Sequence, residues 1–408
     1  MKKYIVALLL LLCMVPGTYA FANDTLESSD AVTVDINEIV SNISYAITGY
    51  YYSKDVSGSF DSDTLFEVDI ASYLTDKVET QQHVSDLYCT NKENYSAQVT
   101  LIDYTIDVNL NVAFFEYQVL TTFNYIGCDF DTSVSDVVKV KYDIKNNKIM
   151  DMYTPLDYYD EYVRTDLNAT NRLSDNIEND NIEFELTSSI VSKQEELHHN
   201  IDNRYNAIFS ERDSTIPKNV TRASALNNSA IVSWARNNYN KDQPSPGNSS
   251  VQYYDFSQIN NAYDCTNFVS HAVLAGGAKI NDTGGSGISS TGWYFRNVNN
   301  RSSSWSGVNQ FYAYMTTNTK PNTAYGTTYS YSHNGGMWGL GSIIQFDFDG
   351  NKSFDHSTII TKRTSSDGRY YAYVTGRTGD NKYNNNQSAD DMSPTYNPRV
   401  INVYNRWE

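Results

Sequence analysis

The residue with the clearest chemical potential in this sequence is Cys265, which is predicted to lie in the first turn of a helix. Asp264 before it is a favourable N-cap residue, and Gly276 and Gly277 end the segment as helix-stop residues. Unsatisfied N–H groups and the positive dipole end at a helix start favour a thiolate, the nucleophilic form of cysteine. Plain core packing is the competing interpretation, and helix position alone favours it slightly.

A cysteine nucleophile needs a base, and His356 is the best-placed histidine. It opens a predicted strand directly after a hairpin turn. A histidine on a strand that faces a cysteine at a helix start is the arrangement a Cys–His pair requires. The competing interpretation is a partly exposed residue at a strand end. His271 lies six residues after Cys265, about 240° around the helix, so it points away and is expected to be structural or at the surface.

The beginning of the chain has the pattern of a secretion signal. Lys2 and Lys3 precede a mostly apolar stretch at residues 5–15, which is too short to span a bilayer. Residues 20–22 form an A-x-A cleavage site. Residues 1–22 are therefore predicted to be a signal peptide, with an uncleaved anchor as the weaker alternative. We expect the protein to be secreted or associated with the cell wall.

After removal of this segment, three cysteines remain, Cys89, Cys128 and Cys265. An odd number in an exported protein suggests one disulfide and one free thiol. A disulfide between Cys89 and Cys128 would stabilise the fold by very roughly 4 kcal/mol. It would leave Cys265 unpaired in an oxidising compartment. A free thiol in that compartment is either packed in the core or a reactive group that takes part in chemistry.

Charge and ligand spacing exclude several classes of partner. The chain has 48 acidic and 30 basic residues and a net charge of −18, which argues against nucleic acid. No second cysteine or histidine lies at ligand spacing near Cys265 or His356, so zinc is not expected. Asp347, Asp349 and Asp355 resemble a calcium loop, but glycine and glutamate miss their EF-hand positions. We expect no cofactor, no metal and no membrane span beyond the signal peptide.

The hydrophobic pattern divides the remaining chain into three parts. Residues 23–165 are predicted to form a small α+β domain, because a helix at 35–53 precedes alternating, strand-like segments at 104–110, 117–125 and 138–144. Residues 166–222 are predicted to be a helical connector with an amphipathic helix at about 186–210. Residues 223–408 form the second α+β part, with helices first and strands at 342–348, 356–362 and 369–375 later.

Four motifs in the C-terminal half carry a resemblance to a known family. They are DCTNFVS at 264–270 with GG at 276–277, a Trp-rich middle with Trp293 and Trp305, GSIIQF at 341–346 leading to HSTIIT at 356–361, and TGD at 378–380. Over about residues 225–408 the sequence resembles the putative amidase domain family of exported Gram-positive proteins. That family is similar to the papain-like cell-wall cysteine hydrolases of the CHAP and NlpC types.

The resemblance implies a papain-like fold, with the cysteine-bearing helix packed on an antiparallel sheet. It implies Cys265 as nucleophile, His356 as general base and a third polar group after the next strand. The family pattern there is His-Thr-x-Asp, whereas this chain has Arg377 and, three residues later, Asp380. Arginine cannot accept a proton from imidazole, which leaves Asp380 as the candidate. Ser342 also departs from the family, which has Asp at this position.

Two functions of different classes follow. The first is a cysteine amidohydrolase or peptidase that acts on peptidoglycan, at the sugar–peptide amide or within the stem peptide. Substrate contact would then depend on aromatic residues such as Trp293 and Trp305, for which core packing is an equal alternative. The second is a cell-surface binding or adhesion protein that uses the papain-like half as a scaffold. A protease acting on proteins is a third, weaker alternative.

Overall fold

The computed structural model describes residues 35–56, 60, 65–107, 109–164, 185–210, 223–259, 262–334, 338–366, 368–379 and 381–406. The predicted signal peptide, most of the predicted connector before residue 185, and Asp380 lie outside the described residues. Within the described residues, no helix is both long enough and apolar enough to cross a membrane.

The first half combines helices with a curved run of long strands. The predictions of a helix near residues 35–53, of strands at 117–125 and 138–144 and of a helix near 186–210 are confirmed, whereas the strand predicted at 104–110 ends at Asp107 and is followed by a turn at 109–110. A second long helix, at residues 68–88, was not predicted. In chain order the elements are α1 (Ile36–Val56), α2 (Val68–Tyr88), β1 (Lys92–Asp107), β2 (Val112–Tyr125), β3 (Asp131–Asp143), β4 (Lys148–Tyr153), α3 (Tyr158–Val163) and α4 (Ser188–Ser210).

In the second half a short strand is followed by two helices, and most of the strands come later, in the order that the sequence predicts. Its elements are β5 (Ala223–Ala225), α5 (Asn228–Asn238), α6 (Cys265–Ala275), β6 (Ile288–Ser289), β7 (Phe295–Asn297), β8 (Asn300–Ser302), α7 (Ser303–Ser306), α8 (Val308–Thr317), β9 (Ala324–Ser330), β10 (Ile343–Phe346), β11 (His356–Ser366), β12 (Arg369–Arg377), β13 (Tyr383–Ser388), α9 (Ala389–Met392) and β14 (Arg399–Arg406). The predicted α+β class is therefore confirmed.

One antiparallel sheet runs through both halves of the described structure. Its strand order is β1-β2-β3-β13-β12-β11-β10-β14-β5, with β4 attached to β3 and β9 attached to β14. The junction is the pairing of β13 with β3, in which Tyr383 faces Ser135 and Asn385 faces Ser133. The first half is thus joined to the second by backbone hydrogen bonds within one sheet, which brings its residues close to β11 and β12.

Two main cores flank this sheet. In the first, α1 and α2 cover the alternating inner face of β2, where Tyr117 and Val119 are fully buried. In the second, α6 packs between the sheet and the aromatic layer formed by Trp293 and Trp305. Every residue of α6 from Cys265 to Leu274 is buried, because helices and sheet enclose it on all sides.

The cysteine prediction is wrong in one respect. Cys89 is an exposed free thiol and Cys128 is a partly buried free thiol, so the disulfide that the odd cysteine count suggests, and that the sequence leaves open for this pair, is not formed. The Cys128 sulfur instead lies 3.5 Å from the Tyr373 hydroxyl. Cys265 is also unpaired and is fully buried.

Candidate active site

Cys265 is the first residue of α6, which packs on the beginning of β11. The backbone N–H of Ser357 lowers the pKa of the Cys265 thiol, and the hydroxyls of Thr266 and Ser357 lie 3.2 Å apart. Ser357 directly follows His356. The fold therefore places Cys265 near the β11 residue that directly follows His356, and the pairing of Cys265 with His356 itself stays a prediction. Asp380, the third predicted site residue, lies outside the described residues.

The expectation that the Asp264 side chain caps α6 is wrong. Its carboxylate makes no bond to the free N–H groups of the helix. It accepts instead from the Phe256 N–H at 3.1 Å, from Asn267 Nδ2 at 2.9 Å and from Arg377 Nε at 3.3 Å. It also accepts from the Tyr253 hydroxyl. Burial and the nearby charge of Asp255 raise the pKa of Asp264 to about 7.

Arg377 explains why the Asp264 carboxylate does not cap α6. Its guanidinium is 0% exposed and lies between two acids, with Nη2 at 2.5 Å from Asp255 and Nε at 3.3 Å from Asp264. Nη1 donates to the Lys241 carbonyl at 2.7 Å. The adjacent Thr378 carbonyl accepts the Asp264 N–H at 2.9 Å. The arginine that departs from the family pattern therefore fastens the end of β12 to the start of the cysteine-bearing helix.

His356 is the first residue of β11 and is 4% exposed. Its ring lies beside Phe346 and Phe348, with centroids 6.5 and 6.2 Å away. Within the described structure its Nδ1 has no hydrogen-bond partner. Burial, and to a smaller extent the charge of Lys382, lowers the pKa of His356 to about 3. The imidazole is therefore neutral at physiological pH, with one ring nitrogen available.

The expected thiolate is not present in this structure. Cys265 is 1% exposed, and burial raises the pKa of its thiol to about 11. The N–H groups of Ser357 and Thr266 and the Thr266 hydroxyl lower that pKa, but burial outweighs them. A helix start favours a thiolate only where the sulfur remains partly solvated or meets a positive charge. Thiol and imidazole are thus both neutral here.

Two residues near His356 had no recognisable signal in the sequence, Gly376 and Asn384. A β-carbon at position 376 would stand 3.4 Å from His356 Nε2 and 2.9 Å from Asn384 Oδ1. Asn384 is buried, and its Nδ2 donates to the Val374 carbonyl at 3.3 Å. That bond leaves Oδ1 on the imidazole side. Asn384 lies in β13, whose sequence YNNNQS has none of the apolar alternation that identifies a strand.

Gly376→Ala should therefore disturb the histidine more than the fold. The new carbon would lie 2.7 Å from Thr358 Cγ2, so the neighbours must shift, at a cost of about 1–3 kcal/mol in stability. A shift of the imidazole by about 1 Å can lower turnover roughly 100-fold. Turnover and urea unfolding would be measured together, with Gly49→Ala as the control, because a β-carbon there meets nothing within 4 Å. Unchanged turnover in Gly376→Ala would show that this contact is unimportant.

His271 is a core residue, so the structural alternative is correct and the surface alternative is wrong. Its ring is fully buried between Trp234, Tyr253 and Trp305. Nδ1 accepts the Gly247 N–H at 3.0 Å. Burial lowers the pKa of His271 to about 3, so the folded protein keeps this ring neutral where the unfolded chain protonates it.

The shifted pKa of His271 predicts acid sensitivity. Between the unfolded value of about 6.5 and the folded value of about 3, the unfolded chain binds one more proton, so acidification favours unfolding. His271→Asn keeps an acceptor but cannot titrate. The stability advantage of the wild type over this variant should shrink by about 1.4 kcal/mol per pH unit below pH 6.5. Urea unfolding at pH 7, 6 and 5 checks this; a constant difference would contradict it.

Trp293 and Trp305 are core residues in this structure. Both are fully buried and stacked with centroids 5.1 Å apart. Their ring N–H groups donate to Ser270 Oγ at 3.1 Å and Asn267 Oδ1 at 2.7 Å, both on α6. Core packing is therefore the correct interpretation, and the two indoles hold the cysteine-bearing helix in place from the side opposite the sheet.

One group of side chains in the described residues could hold a cation. Oxygens of Asp347, Asp349 and Asp355 lie within 4.8 Å of one another, in the turn before His356. Each carboxylate already accepts backbone N–H groups of the same turn. Burial raises the pKa of Asp355 to about 7. These bonds explain the tight turn between β10 and β11 without an ion, in line with the hairpin predicted there.

Comparison with known proteins agrees with the type of domain. Residues 225–402 match the family model described as "Putative amidase domain", less than half of the chain and nearly the same stretch as the sequence resemblance. No curated protein and no solved structure gives a significant match. The kinship with CHAP and NlpC hydrolases stays a prediction. The second half of this chain is thus an amidase-like domain, and the match supports hydrolase activity.

Proposed function

We propose that the protein is a secreted cysteine amidohydrolase or peptidase that cleaves amide bonds of peptidoglycan. One observation carries the proposal. Inside a domain that matches an amidase family model, the helix start bearing Cys265 packs on the strand start bearing His356, through Ser357. Support for export comes from the signal-like sequence of residues 1–22.

The proposed reaction is acyl transfer. Cys265 Sγ attacks the amide carbonyl while His356 takes the thiol proton and then returns it to the leaving amine. Water, deprotonated by the same imidazole, hydrolyses the thioester and releases the acid. N–H groups at the start of α6 would stabilise the developing oxyanion. Because the pKa values of Cys265 and His356 keep both groups neutral, proton transfer accompanies attack instead of preceding it.

A third polar group would orient the imidazole in this mechanism. Asp380 is one candidate, because it follows β12 and the family pattern has an acid there. Asn384 is a second candidate, because its Oδ1 and the His356 Nε2 lie on the same side of Gly376. Either group would accept the ring N–H and leave the other nitrogen for the Cys265 proton.

The test is digestion of purified peptidoglycan followed by mass spectrometry of the soluble products. Cleavage of the sugar–peptide amide releases whole stem peptides, whereas cleavage within the stem releases shorter ones. Cys89→Ala is the matched control for Cys265→Ala, because it removes an exposed thiol in the other half of the chain. A fluorescent peptide panel assayed in parallel identifies a protease that acts on proteins. Absence of any soluble product with wild-type protein would reject the proposal.

One observation favours the alternative of a binding or adhesion protein. The Cys265 and His356 side chains are 1% and 4% exposed, so the described structure gives a substrate no direct path to the sulfur. A binding protein would sediment with insoluble peptidoglycan, release no product, and behave identically after Cys265→Ala. Co-sedimentation and product analysis on the same sample separate the two functions.

A further inference from the structure

The cavity beside His356 is lined by both halves of the chain. The second half contributes His356, Thr378 and Lys382. The first half contributes Lys54 and Asp157, among other residues of α1, β3 and the turn before α3. The pairing of β3 with β13 holds the two walls together. A molecule bound at His356 would therefore contact the N-terminal half as well as the amidase-like domain.

Most charges lining this cavity are already paired. Lys92 lies 2.5 Å from Asp55, Lys382 lies 3.1 Å from Asp136, and the Asp157 carboxylate lies 2.9 Å from Lys77 outside the cavity. Asp391 accepts hydrogen bonds from the hydroxyls of Thr90 and Tyr125. Each lining carboxylate therefore has a donor, and two of the three lining lysines have a carboxylate.

Lys54 is the third lysine, and its ammonium group lacks such a partner. Across the described residues, no carboxylate oxygen lies within 4.0 Å of its Nζ and no hydrogen-bond acceptor is in place. Its contact is the ring of Tyr51, with the centroid 4.5 Å from Nζ. Burial lowers the pKa of Lys54, but the charges of Asp55, Tyr50 and Asp157 outweigh burial and raise it, so the group stays charged.

We propose that Lys54 binds a carboxylate of the substrate in this cavity, so that the N-terminal half sets the substrate preference of the active site. The inference rests on the proposed hydrolase function and names its substrate class, a peptide with a free carboxylate near the scissile amide. An ammonium group has three N–H donors. When it is partly buried and those donors have no acceptor, its desolvation costs free energy, which a bound acceptor would recover. A carboxylate supplies both the acceptor and the opposite charge.

The nearby acids do not remove this preference. Asp55 and Asp157 each already contact another lysine, so their charges are partly neutralised. The wall of the cavity also contains Leu156, whose φ is +57°. A leucine in this left-handed region is strained, and such strain clusters at ligand-binding surfaces. The turn that carries Leu156 also carries Asp157, so its conformation fixes the wall opposite His356.

Calorimetry with two matched ligands tests the inference. The ligands are N-acetylmuramoyl-L-alanyl-D-glutamate and its diamide, in which both glutamate carboxylates are carboxamides, and the protein carries Cys265→Ala to prevent turnover. We expect the first ligand to bind about tenfold more tightly, because one charge-assisted hydrogen bond is added. Lys54→Met should remove this preference by weakening only the acid, whereas Lys54→Arg should keep it. Lys145→Met, at an exposed turn, is the control.

Equal binding of the two ligands would overturn the inference. An equal loss of affinity for both ligands in Lys54→Met would also overturn the inference, because that result would indicate a structural role for Lys54. Failure of both ligands to bind would overturn it as well. None of these outcomes rejects the hydrolase function itself, which fails only if wild-type protein releases no product from peptidoglycan.

Discussion

Replacing Cys265 with alanine should abolish peptidoglycan hydrolysis, with turnover lowered on the order of 10³-fold or more, as for other enzymes that lose their nucleophile. In the proposed mechanism the sulfur is the atom that forms the acyl-enzyme, and the described structure offers no second thiol near His356. Folding should change little, because alanine fits the small buried space of the cysteine. The measurement is the rate of soluble product release, with circular dichroism and urea unfolding of the same preparations.

His356→Gln is the companion variant. It should lower turnover to a similar level, because the thiol loses the base that accepts its proton. Since burial raises the pKa of Cys265 to about 11, the wild-type protein should react slowly with iodoacetamide at pH 6. Intact-protein mass spectrometry follows this labelling. Full hydrolysis by Cys265→Ala would contradict the assigned nucleophile.

Local patterns in the sequence predict those elements whose residues repeat with the period of the structure. The alternation in β2 and the helical spacing in Ser188–Ser210 are clear, and both elements form where predicted. The motif at 264–270 likewise locates α6, since an aspartate and a cysteine precede an apolar helix face. In each case the information needed lies within about twenty consecutive residues.

The parts that the sequence does not reveal depend on contacts between distant residues. Strand β13 is a polar, Asn-rich segment, and it becomes a strand because β3 and β12 supply partners on both sides. The cavity at His356 depends on that same pairing. The raised pKa of Cys265 is a second example, since burial by the surrounding core opposes the local effect of the helix start.

The N-cap predicted at Asp264 does not form, again because of a contact between distant residues. Asp264 has the side chain of a good cap, but a guanidinium more than one hundred positions later in the sequence holds its carboxylate. The bond to the buried guanidinium pairs two opposite charges, whereas a cap bond would join the carboxylate to an uncharged N–H. The family pattern offered no signal for this, since it has histidine where Arg377 stands.

Arg377→Met should therefore be the most destabilising single change near the site. It leaves Asp255 and Asp264 buried together without a counter-charge, and breaking a buried pair in this way costs about 3–5 kcal/mol. Arg296→Met is the matched control. Its pair with Asp282 lies at the surface, with the two side chains 39% and 37% exposed, so its loss should change stability far less than the loss of the buried pair.

The pH dependence distinguishes this mechanism from simple loss of packing. The pKa of Asp264 is already raised to about 7 by burial and by Asp255, and removal of the guanidinium raises it further. A carboxyl whose folded pKa is raised takes up its proton more readily in the folded state, so its ionisation lowers stability as pH rises above about 4. Urea unfolding should show a larger difference between wild type and Arg377→Met at pH 8 than at pH 5. A difference that is equal at both pH values would mean that lost packing, and not uncompensated charge, causes the destabilisation.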